Sequence, residues 1–183
     1  IADGEYYLKG VNSGKVVCAD NYGNDSLVAN KDTYGGAWET LTVVNNSDGS
    51  ISFKSGANGK YVCAVIDENK QLLARSSAIG TWEKFSLIKV SDTQYALKAL
   101  ANDKFVCVNE DNGNVLYADR DSVSGWESFY IYDVSGKQMT PADGGSQGNS
   151  TIVSDGEYYL SDSQAKIVCA ENYGNDSLVA NRD

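Results

Sequence analysis

The sequence contains no histidine, and this absence removes several classes of site at once. Histidine is the side chain whose unperturbed pKa lies closest to neutrality, and it is the commonest metal ligand in proteins. Without it, the chain cannot form a histidine-containing catalytic triad or a histidine-bound zinc site. The chain therefore lacks the usual general base of enzymes.

Positive charge is also scarce. Fifteen lysines and arginines stand against 25 aspartates and glutamates, which gives a formal net charge of −10. A nucleic-acid-binding protein needs a basic face to displace counterions, and an anionic membrane surface attracts basic segments. No stretch approaches the roughly 18 apolar residues that a membrane-spanning helix needs. We therefore expect neither nucleic acid nor a membrane as a partner.

Proline and methionine occur once each, whereas Tyr, Val, Thr, Ser, Asn and Gly are abundant. That composition is typical of short strands joined by tight turns. The hydrophobic content of 42% suits a globular core. The first residue is Ile1 and no signal peptide is visible, so we expect a processed or excised piece of a longer protein.

What the sequence does contain is one phrase written three times, around its three tryptophans. Trp38-Glu39, Trp82-Glu83 and Trp126-Glu127 recur at intervals of 44 residues. A fixed period of this size is the signature of a repeat architecture. Each repeat is typical of four short strands, because its apolar segments are short, β-branched and separated by turn residues. The repeats span about 3–49, 50–93 and 94–133.

One such unit cannot bury its own apolar face, but three of them can close a small barrel with a hairpin cap. The sequence therefore predicts an all-β domain over 1–133, a β-trefoil of three four-stranded repeats with pseudo-threefold symmetry. Acidic residues that recur in the repeats would be far apart in such a fold, and no glycosidase-type pair stands out. We predict a protein that is not an enzyme and that uses no cofactor and no metal.

A partial fourth repeat follows a Gly/Ser-rich linker at 134–154. Residues 155–160 repeat 3–8, and 172–181 repeat 21–30 without a change. We interpret 155–183 as the first part of a second, incomplete trefoil. Such a fragment should not be stable alone. It is either loosely attached or docked on a neighbouring molecule by domain swapping, which would give self-association through 155–183.

The four cysteines occupy the same place in the four repeats: Cys18, Cys63, Cys107 and Cys169. A disulfide needs Cα atoms within roughly 7 Å, whereas positions related by the repeat are a whole structural unit apart. We predict reduced, mostly buried thiols. No Cys-x-x-Cys pair indicates a zinc or redox site.

The tryptophans are the first candidate ligand contacts. If Trp82 to Leu87 is a strand, alternation directs Phe85 and Leu87 to the core and Trp82 to the opposite face. The same parity places Trp38 and Trp126 outward. An exposed indole suits the C–H face of a pyranose. The alternative is that each indole packs under the preceding connection and seals the barrel rim.

Other candidates surround the tryptophans. The glutamates of the repeated phrase either fasten loop backbone N–H groups, which we favour, or contact a ligand. They are Glu39, Glu83 and Glu127. A variable polar residue ends the third strand of each repeat and should lie near the indole. These residues are Asn30, Arg75 and Asp119. Tyr34 replaces Ile79 and Val123 of the other repeats, so the first site gains an aromatic wall.

The loop Asp20 to Asp25 carries several oxygen ligands that could indicate Ca²⁺. It lacks the residue order of an EF-hand and its bidentate glutamate. Ordinary turn chemistry explains the loop and its copy at 171–176.

The repeats also resemble a known family. Gly59 to Ala64, Leu72 to Ser76 and Ala78 to Phe85 are similar to the fascin-like β-trefoil repeat. Eukaryotic members of that family bundle actin. Similar bacterial repeats are accessory modules of polysaccharide-degrading enzymes and cell-surface proteins, and are taken to bind carbohydrate. The Gln-x-Trp hallmark of ricin-type lectins is absent, so their sugar contacts are not carried over.

The resemblance implies a non-catalytic, multivalent carbohydrate-binding module with one site per repeat, in an extracellular or cell-surface protein. Its partner would be a polysaccharide or oligosaccharide. An actin-bundling or other protein-interaction module and a structural spacer are the alternatives.

Overall fold

A computed structural model of the chain describes residues 1–141, 167–170 and 178–182. The first repeat contains β1 (Gly4–Gly10), β2 (Val16–Cys18), β3 (Val28–Lys31) and β4 (Leu41–Asn45). The second and third repeats contain β5 (Ile51–Ser55), β6 (Tyr61–Ala64), β7 (Leu72–Ser76), β8 (Phe85–Lys89), β9 (Tyr95–Ala99), β10 (Lys104–Asn109), β11 (Val115–Arg120) and β12 (Ser128–Asp133). The later strands are β13 (Gln138–Met139), β14 (Ile167–Ala170) and β15 (Leu178–Arg182).

The first and fourth strands of the three repeats form a closed barrel. Antiparallel pairs join β1 to β4, β4 to β5, β5 to β8, β8 to β9, β9 to β12 and β12 back to β1. Three hairpins, β2–β3, β6–β7 and β10–β11, meet at one end through short pairings such as Ser26 with Leu73. The fold is a β-trefoil, and the predicted fold class is confirmed.

The core is built from equivalent positions of the three repeats. The first strands contribute Leu8, Phe53 and Leu97, and the fourth strands contribute Leu41, Phe85 and Phe129. All six side chains are buried and belong to one apolar cluster. The predicted burial of Phe85 is confirmed, whereas Leu87 lies only partly buried against the margin of this cluster.

Each cap hairpin contains a β-bulge at the same place. In the first hairpin Val16 pairs with Lys31 but Val17 pairs with Ala29, so Asn30 is the extra residue. The same shift makes Arg75 and Asp119 the extra residues of their hairpins. Bulges re-aim side chains near binding sites. The three variable polar positions are therefore bulge residues.

The chain divides into two compact units, Ile1–Gly145 and Ser146–Asp183. In the second unit, β14 and β15 form an antiparallel pair with the register and bulge of β2–β3. In the first unit, β13 pairs with β12 inside the segment predicted as linker, so strand structure continues past residue 133. The domain boundaries stay predictions.

The placement of the tryptophans on strands was wrong. Trp82 lies in a 3₁₀ turn, Thr81–Glu83, and Trp38 and Trp126 lie in turns that end before β4 and β12 begin. Strand alternation therefore does not decide which way the indoles face. The domain also contains a four-residue turn α1 (Asp20–Gly23) and a second 3₁₀ turn (Glu110–Asn112) between its strands.

Three of the four cysteines are described, and their predicted state is confirmed. Cys18, Cys63 and Cys107 are buried and not in disulfides. Burial raises the pKa of each thiol, for Cys107 to about 11. The side chain of Cys169 lies outside the described residues. No helix in the described part of the chain is long and apolar enough to cross a membrane.

Candidate functional site

The glutamate beside each tryptophan closes the turn that carries the indole. Glu39 Oε2 accepts a hydrogen bond from Gly35 N at 3.2 Å, and Glu83 Oε2 accepts one from Gly80 N at 2.7 Å. Glu127 Oε2 accepts bonds from the backbone N and the hydroxyl of Ser124, at 2.9 and 2.6 Å. All three glutamates are buried. Their expected role in fastening loop N–H groups is confirmed, and whether they also touch a ligand stays a prediction.

The indoles of Trp38, Trp82 and Trp126 are half-buried. The Trp38 carbonyl accepts a hydrogen bond from Ala19 N at 2.8 Å, and the Trp126 carbonyl accepts one from Val108 N at the same distance. These bonds hold each of the two tryptophan turns against the end of a cysteine strand. Asp20 follows Ala19 directly and therefore lies beside the tryptophan turn of the first repeat.

The loop after Asp20 has an unusual backbone. Asn21, Tyr22 and Gly23 are consecutive residues with left-handed φ of 52°, 56° and 73°. The left-handed region is strained for a bulky side chain such as Tyr22, and such strain clusters at ligand sites. The Tyr22 side chain is 65% exposed, and its ring meets the Trp38 ring at 5.1 Å and 69°. The two rings form an aromatic corner.

Asp20 supplies a carboxylate near this corner. Its Oδ2 accepts a hydrogen bond from Asn30 Nδ2 at 2.6 Å, and its Oδ1 lies 2.9 Å from Lys31 Nζ and 3.0 Å from Cys18 Sγ. Burial by itself raises the pKa of Asp20, but the hydrogen bonds from Cys18, Lys31 and Asn30 outweigh it and hold that pKa below 3.8. Asp20 is thus an ionised acceptor at neutral pH.

A shallow depression of about 490 Å³ lies over the tryptophan turn of the first repeat. It is lined by Gly35, Gly36, Ala37, Trp38 and Glu39. Space is open around Gly36, where an added Cβ would meet nothing within 4 Å. The backbone of this turn is therefore accessible beside the indole.

Together these groups form the first-repeat site, defined as Asp20, Tyr22, Asn30, Lys31 and Trp38. Aromatic faces pack against apolar C–H surfaces, and carboxylates accept hydrogen bonds from hydroxyls. Amide and ammonium groups donate hydrogen bonds to the oxygens of a ligand. Ligand sites commonly combine such an aromatic wall with a few convergent polar groups. The chemistry fits a neutral, hydroxyl-rich ligand.

The equivalent regions of the other repeats are built differently. In the second repeat Val65 stands in the place of Asp20, and Arg75 pairs with Glu68 at 2.9 Å. In the third repeat Arg120 lies 5.7 Å from the centre of the Trp126 ring and 3.3 Å from Asp119. The bulge residue lies in the site region of each repeat, but its partners differ.

Tyr34 lies in a different cluster. Its ring stacks on Tyr7 at 4.9 Å and 17°, and Tyr7 stacks on Tyr132 at 5.1 Å and 9°. The Tyr34 hydroxyl lies 2.9 Å from Thr40 Oγ1. We name Tyr7, Tyr34 and Tyr132 the tyrosine stack. The ring that contacts Trp38 is that of Tyr22, so a role for Tyr34 as a wall of the first site stays a prediction.

Sequence reasoning missed Tyr22, Asp20 and Lys31 as members of the site. The loop composition favours an ordinary turn, and nothing local shows that the chain folds the tyrosine back on an indole 16 positions later. One signal was present. The exposed aromatic residue in an otherwise polar loop recurs unchanged in the copy at 172–181, as Tyr173.

Comparison with known proteins gives a family and a fold. A family model described as a domain of unknown function, DUF7910, matches residues 45–138, which is just over half of the chain. No curated protein matches the chain.

Solved structures share the trefoil. A designed 3-fold symmetric protein, ThreeFoil, superposes with a TM-score of 0.65 at 19% identity, over 72% of this chain and 100% of its own. A ricin B-like lectin from Macrolepiota procera, solved in complex with lactose, gives 0.60 at 12% identity, over 73% and 98%. An exo-β-1,3-galactanase from Clostridium thermocellum gives 0.61 at 17% identity, over 75% of this chain and 30% of that protein.

Proposed function

The chain belongs to the DUF7910 family, whose description names no activity, and we propose that it is a non-catalytic carbohydrate-binding module. The first-repeat site is the centre of this proposal. The ligand is a polysaccharide or oligosaccharide of neutral sugars. A lectin that shares the trefoil was solved with lactose, which supports the choice of ligand class.

The observation that carries the proposal is the aromatic corner beside an ionised carboxylate. Tyr22 is strained, exposed and in contact with Trp38, and no apolar core requires it there. A pyranose ring can pack its C–H face on such a surface. Its hydroxyls can then donate to Asp20 and accept from Lys31 or Asn30.

The charge of the site favours a neutral ligand. Lys31 neutralises Asp20 at 2.9 Å, while the chain as a whole carries a net charge of −10. An anionic sugar would be repelled by that field. A neutral sugar avoids this cost and exchanges hydrogen bonds with water for hydrogen bonds with the site.

The setting is part of the proposal. The resemblance to fascin-like repeats and the copy of the first repeat at 155–183 support a tandem of trefoils in a longer extracellular or cell-surface protein. Linked modules on one polysaccharide raise the overall affinity through effective concentration without any new contact. Self-association through 155–183 remains part of this proposal.

Affinity electrophoresis tests the proposal. The protein is run in native gels that contain soluble glucan, xylan or galactan, and retardation by at least one polymer is expected. Tyr22→Ala and Trp38→Ala should each strongly reduce that retardation. Tyr61→Val, which installs the residue that the first repeat has at the equivalent strand position, Val16, should not.

Two results would contradict the proposal. Normal mobility in every gel, combined with co-sedimentation with actin filaments, would support a fascin-like protein-interaction module instead. Retardation that both aromatic substitutions leave undiminished would mean that the first-repeat site is not where the sugar binds.

A further inference from the structure

The three repeats are natural variants of one scaffold, and they differ at the position two residues after the buried cysteine. That position is Asp20, Val65 or Asn109. Strand register confirms the equivalence, because Cys18, Cys63 and Cys107 each pair with the same place of the next strand. The side chain at this position is therefore a carboxylate in the first repeat, an alkyl group in the second and an amide in the third.

The second repeat lacks a polar group at this position. Val65 is fully buried, and the following residue, Ile66, packs against the core. The guanidinium of the bulge residue, Arg75, pairs with Glu68 at 2.9 Å. The loop 66–70 contains no aromatic residue to match Tyr22. The second repeat therefore has neither a carboxylate equivalent to Asp20 nor an aromatic ring equivalent to Tyr22.

The third repeat keeps a polar group, and that group has no partner. Among the described residues, Asn109 Oδ1 is the one buried side-chain nitrogen or oxygen without a hydrogen bond. Buried acceptors normally have a hydrogen-bond partner. An acceptor without one can take a hydrogen bond from a ligand or from water. The bond from Val108 N to the Trp126 carbonyl, at 2.8 Å, holds the tryptophan turn beside Asn109.

Arg120 completes this region with donors. Its guanidinium carbon is 5.7 Å from the centre of the Trp126 ring, and its Nε lies 3.3 Å from Asp119 and 3.7 Å from Glu127. The two carboxylates neutralise the cation, so an anionic ligand gains little. Because the cation lies over the indole, the third repeat offers hydrogen bonds rather than a free aromatic face.

We propose that the chain has two sugar sites of different chemistry, one in the first repeat and one in the third, and none in the second. This inference rests on the proposed function and states how many sugar sites the chain has. The third site binds a neutral sugar residue whose hydroxyl donates to Asn109 Oδ1 and whose oxygen accepts from Arg120. It is the weaker site, since it lacks the ring that Tyr22 supplies in the first.

The three tryptophans provide one reporter per repeat. In a nitrogen–proton correlation spectrum of the ¹⁵N-labelled full chain, the three indole N–H signals are assigned by single Trp→Phe substitutions. Xylo-, cello- and galacto-oligosaccharides are titrated one at a time. We expect the Trp38 and Trp126 signals to shift with different half-saturation concentrations, and the Trp82 signal to stay within error.

Two substitutions separate the sites, and the second repeat shows that the fold accepts them. Asp20→Val should abolish the Trp38 shift and leave the Trp126 shift, whereas Asn109→Val should do the reverse. Thermal unfolding of each variant checks that the fold is retained. A Trp126 shift that persists in Asn109→Val overturns the inference, as does a Trp82 shift equal to the others.

The outcomes distinguish this inference from the proposed function. If Trp38 responds and Trp126 does not, the chain binds sugar at one site and only the inference fails. If no indole responds to any of the oligosaccharides and the affinity gels show no retardation, both fail together.

Discussion

The side-chain amide of Asn58, in the second repeat, reaches Gly23 in the first and donates a hydrogen bond to its carbonyl at 3.3 Å. The same amide donates to the Ala74 carbonyl at 2.8 Å. A Cβ added at Gly23 would lie 2.4 Å from Asn58 Nδ2, so the contact requires glycine. The loop that presents Tyr22 is therefore anchored by a neighbouring repeat as well as by its own, in which Gly23 N donates to the Ala19 carbonyl at 3.1 Å.

Gly23→Ala should disrupt this anchor. A left-handed alanine costs about 1–2 kcal/mol, and the new methyl group also displaces Asn58. Gly113→Ala is the matched control, since Gly113 has φ of 65° but open space around it. Urea unfolding should show a larger loss of stability for Gly23→Ala than for Gly113→Ala. Equal losses of stability would mean that the Asn58 side chain moves aside at no cost. Its hydrogen bond to Gly23 would then not stabilise the loop.

Phe85 and Leu87 should differ sharply in their contribution to stability. Phe85→Ala removes a fully buried ring and should lower the free energy of unfolding by about 3–5 kcal/mol. Leu87→Ala should cost about 1–2 kcal/mol, because its side chain is only partly removed from water. Denaturant midpoints at unchanged slope measure both. Similar losses would contradict the finding that Phe85 is fully buried and Leu87 only partly buried.

Loss of the buried acceptor carboxylate of Glu127, in the third repeat, should lower the stability of the fold. Glu127→Ala leaves the backbone N–H of Ser124 unpaired and should cost about 1–3 kcal/mol. Glu127→Gln keeps an acceptor oxygen and should cost less. The exposed Glu5 provides a control, whose alanine variant should stay within about 0.5 kcal/mol of the parent. The reverse order of the two Glu127 variants would contradict this assignment.

Asp20 should link stability to acid pH. The pKa of Asp20 is lower in the folded protein than its ordinary value of 3.8. Its contribution is therefore fully present above pH 3.8 and is lost as the pH falls through the lower, folded-state pKa. Urea unfolding from about pH 6 to about pH 2.5 should show a smaller acid-induced loss for Asp20→Asn than for the parent. Identical slopes would contradict the linkage.

The same protonation should weaken sugar binding. A neutral carboxyl has fewer acceptor sites for sugar hydroxyls than a carboxylate. Retardation in affinity gels should therefore decline over that acid window while the fold persists.

Much of the fold could be predicted because the repeat is written in the sequence. The spacing of the tryptophans fixed three units, and the alternation around Phe85 identified its core position. The turns that hold the tryptophans could not be placed in this way. Glu83 closes its turn by bonding to Gly80, and that bond shortens the strand that the local pattern favours. A hydrogen bond of this kind has no periodic signal.

The candidate site was harder to predict, since its parts come from separate segments. The contact of Tyr22 with Trp38 depends on left-handed φ values at two residues that are not glycine. The left-handed region is unfavourable for Tyr22. Bonds from Gly23 N to the Ala19 carbonyl and from Asn58 Nδ2 to the Gly23 carbonyl help to hold the loop in this conformation. Asn30 was found because it varies between repeats. Its role as a bulge residue that bonds Asp20 requires the register of β2 and β3.

The tyrosine stack lies where β12 pairs with β1, the one junction between successive repeats of the barrel that no turn connects. At the other two junctions between repeats, β4 with β5 and β8 with β9, a short turn joins the paired strands. The residues that face each other there are Val44 with Ser52 and Ile88 with Ala96. Where the first and last strands of the trefoil meet, Tyr7 faces Tyr132 instead. Stacked rings of this kind add about 0.5–1.5 kcal/mol per pair.

The stacked rings of Tyr7 and Tyr132 therefore help to close the barrel where no turn links the paired strands. In a circularly permuted chain, a peptide linker would join β12 to β1 and the new termini would lie at another junction between repeats. The tyrosine pair would then support a junction that already has a covalent connection, and the junction at the new termini would have no stacked rings.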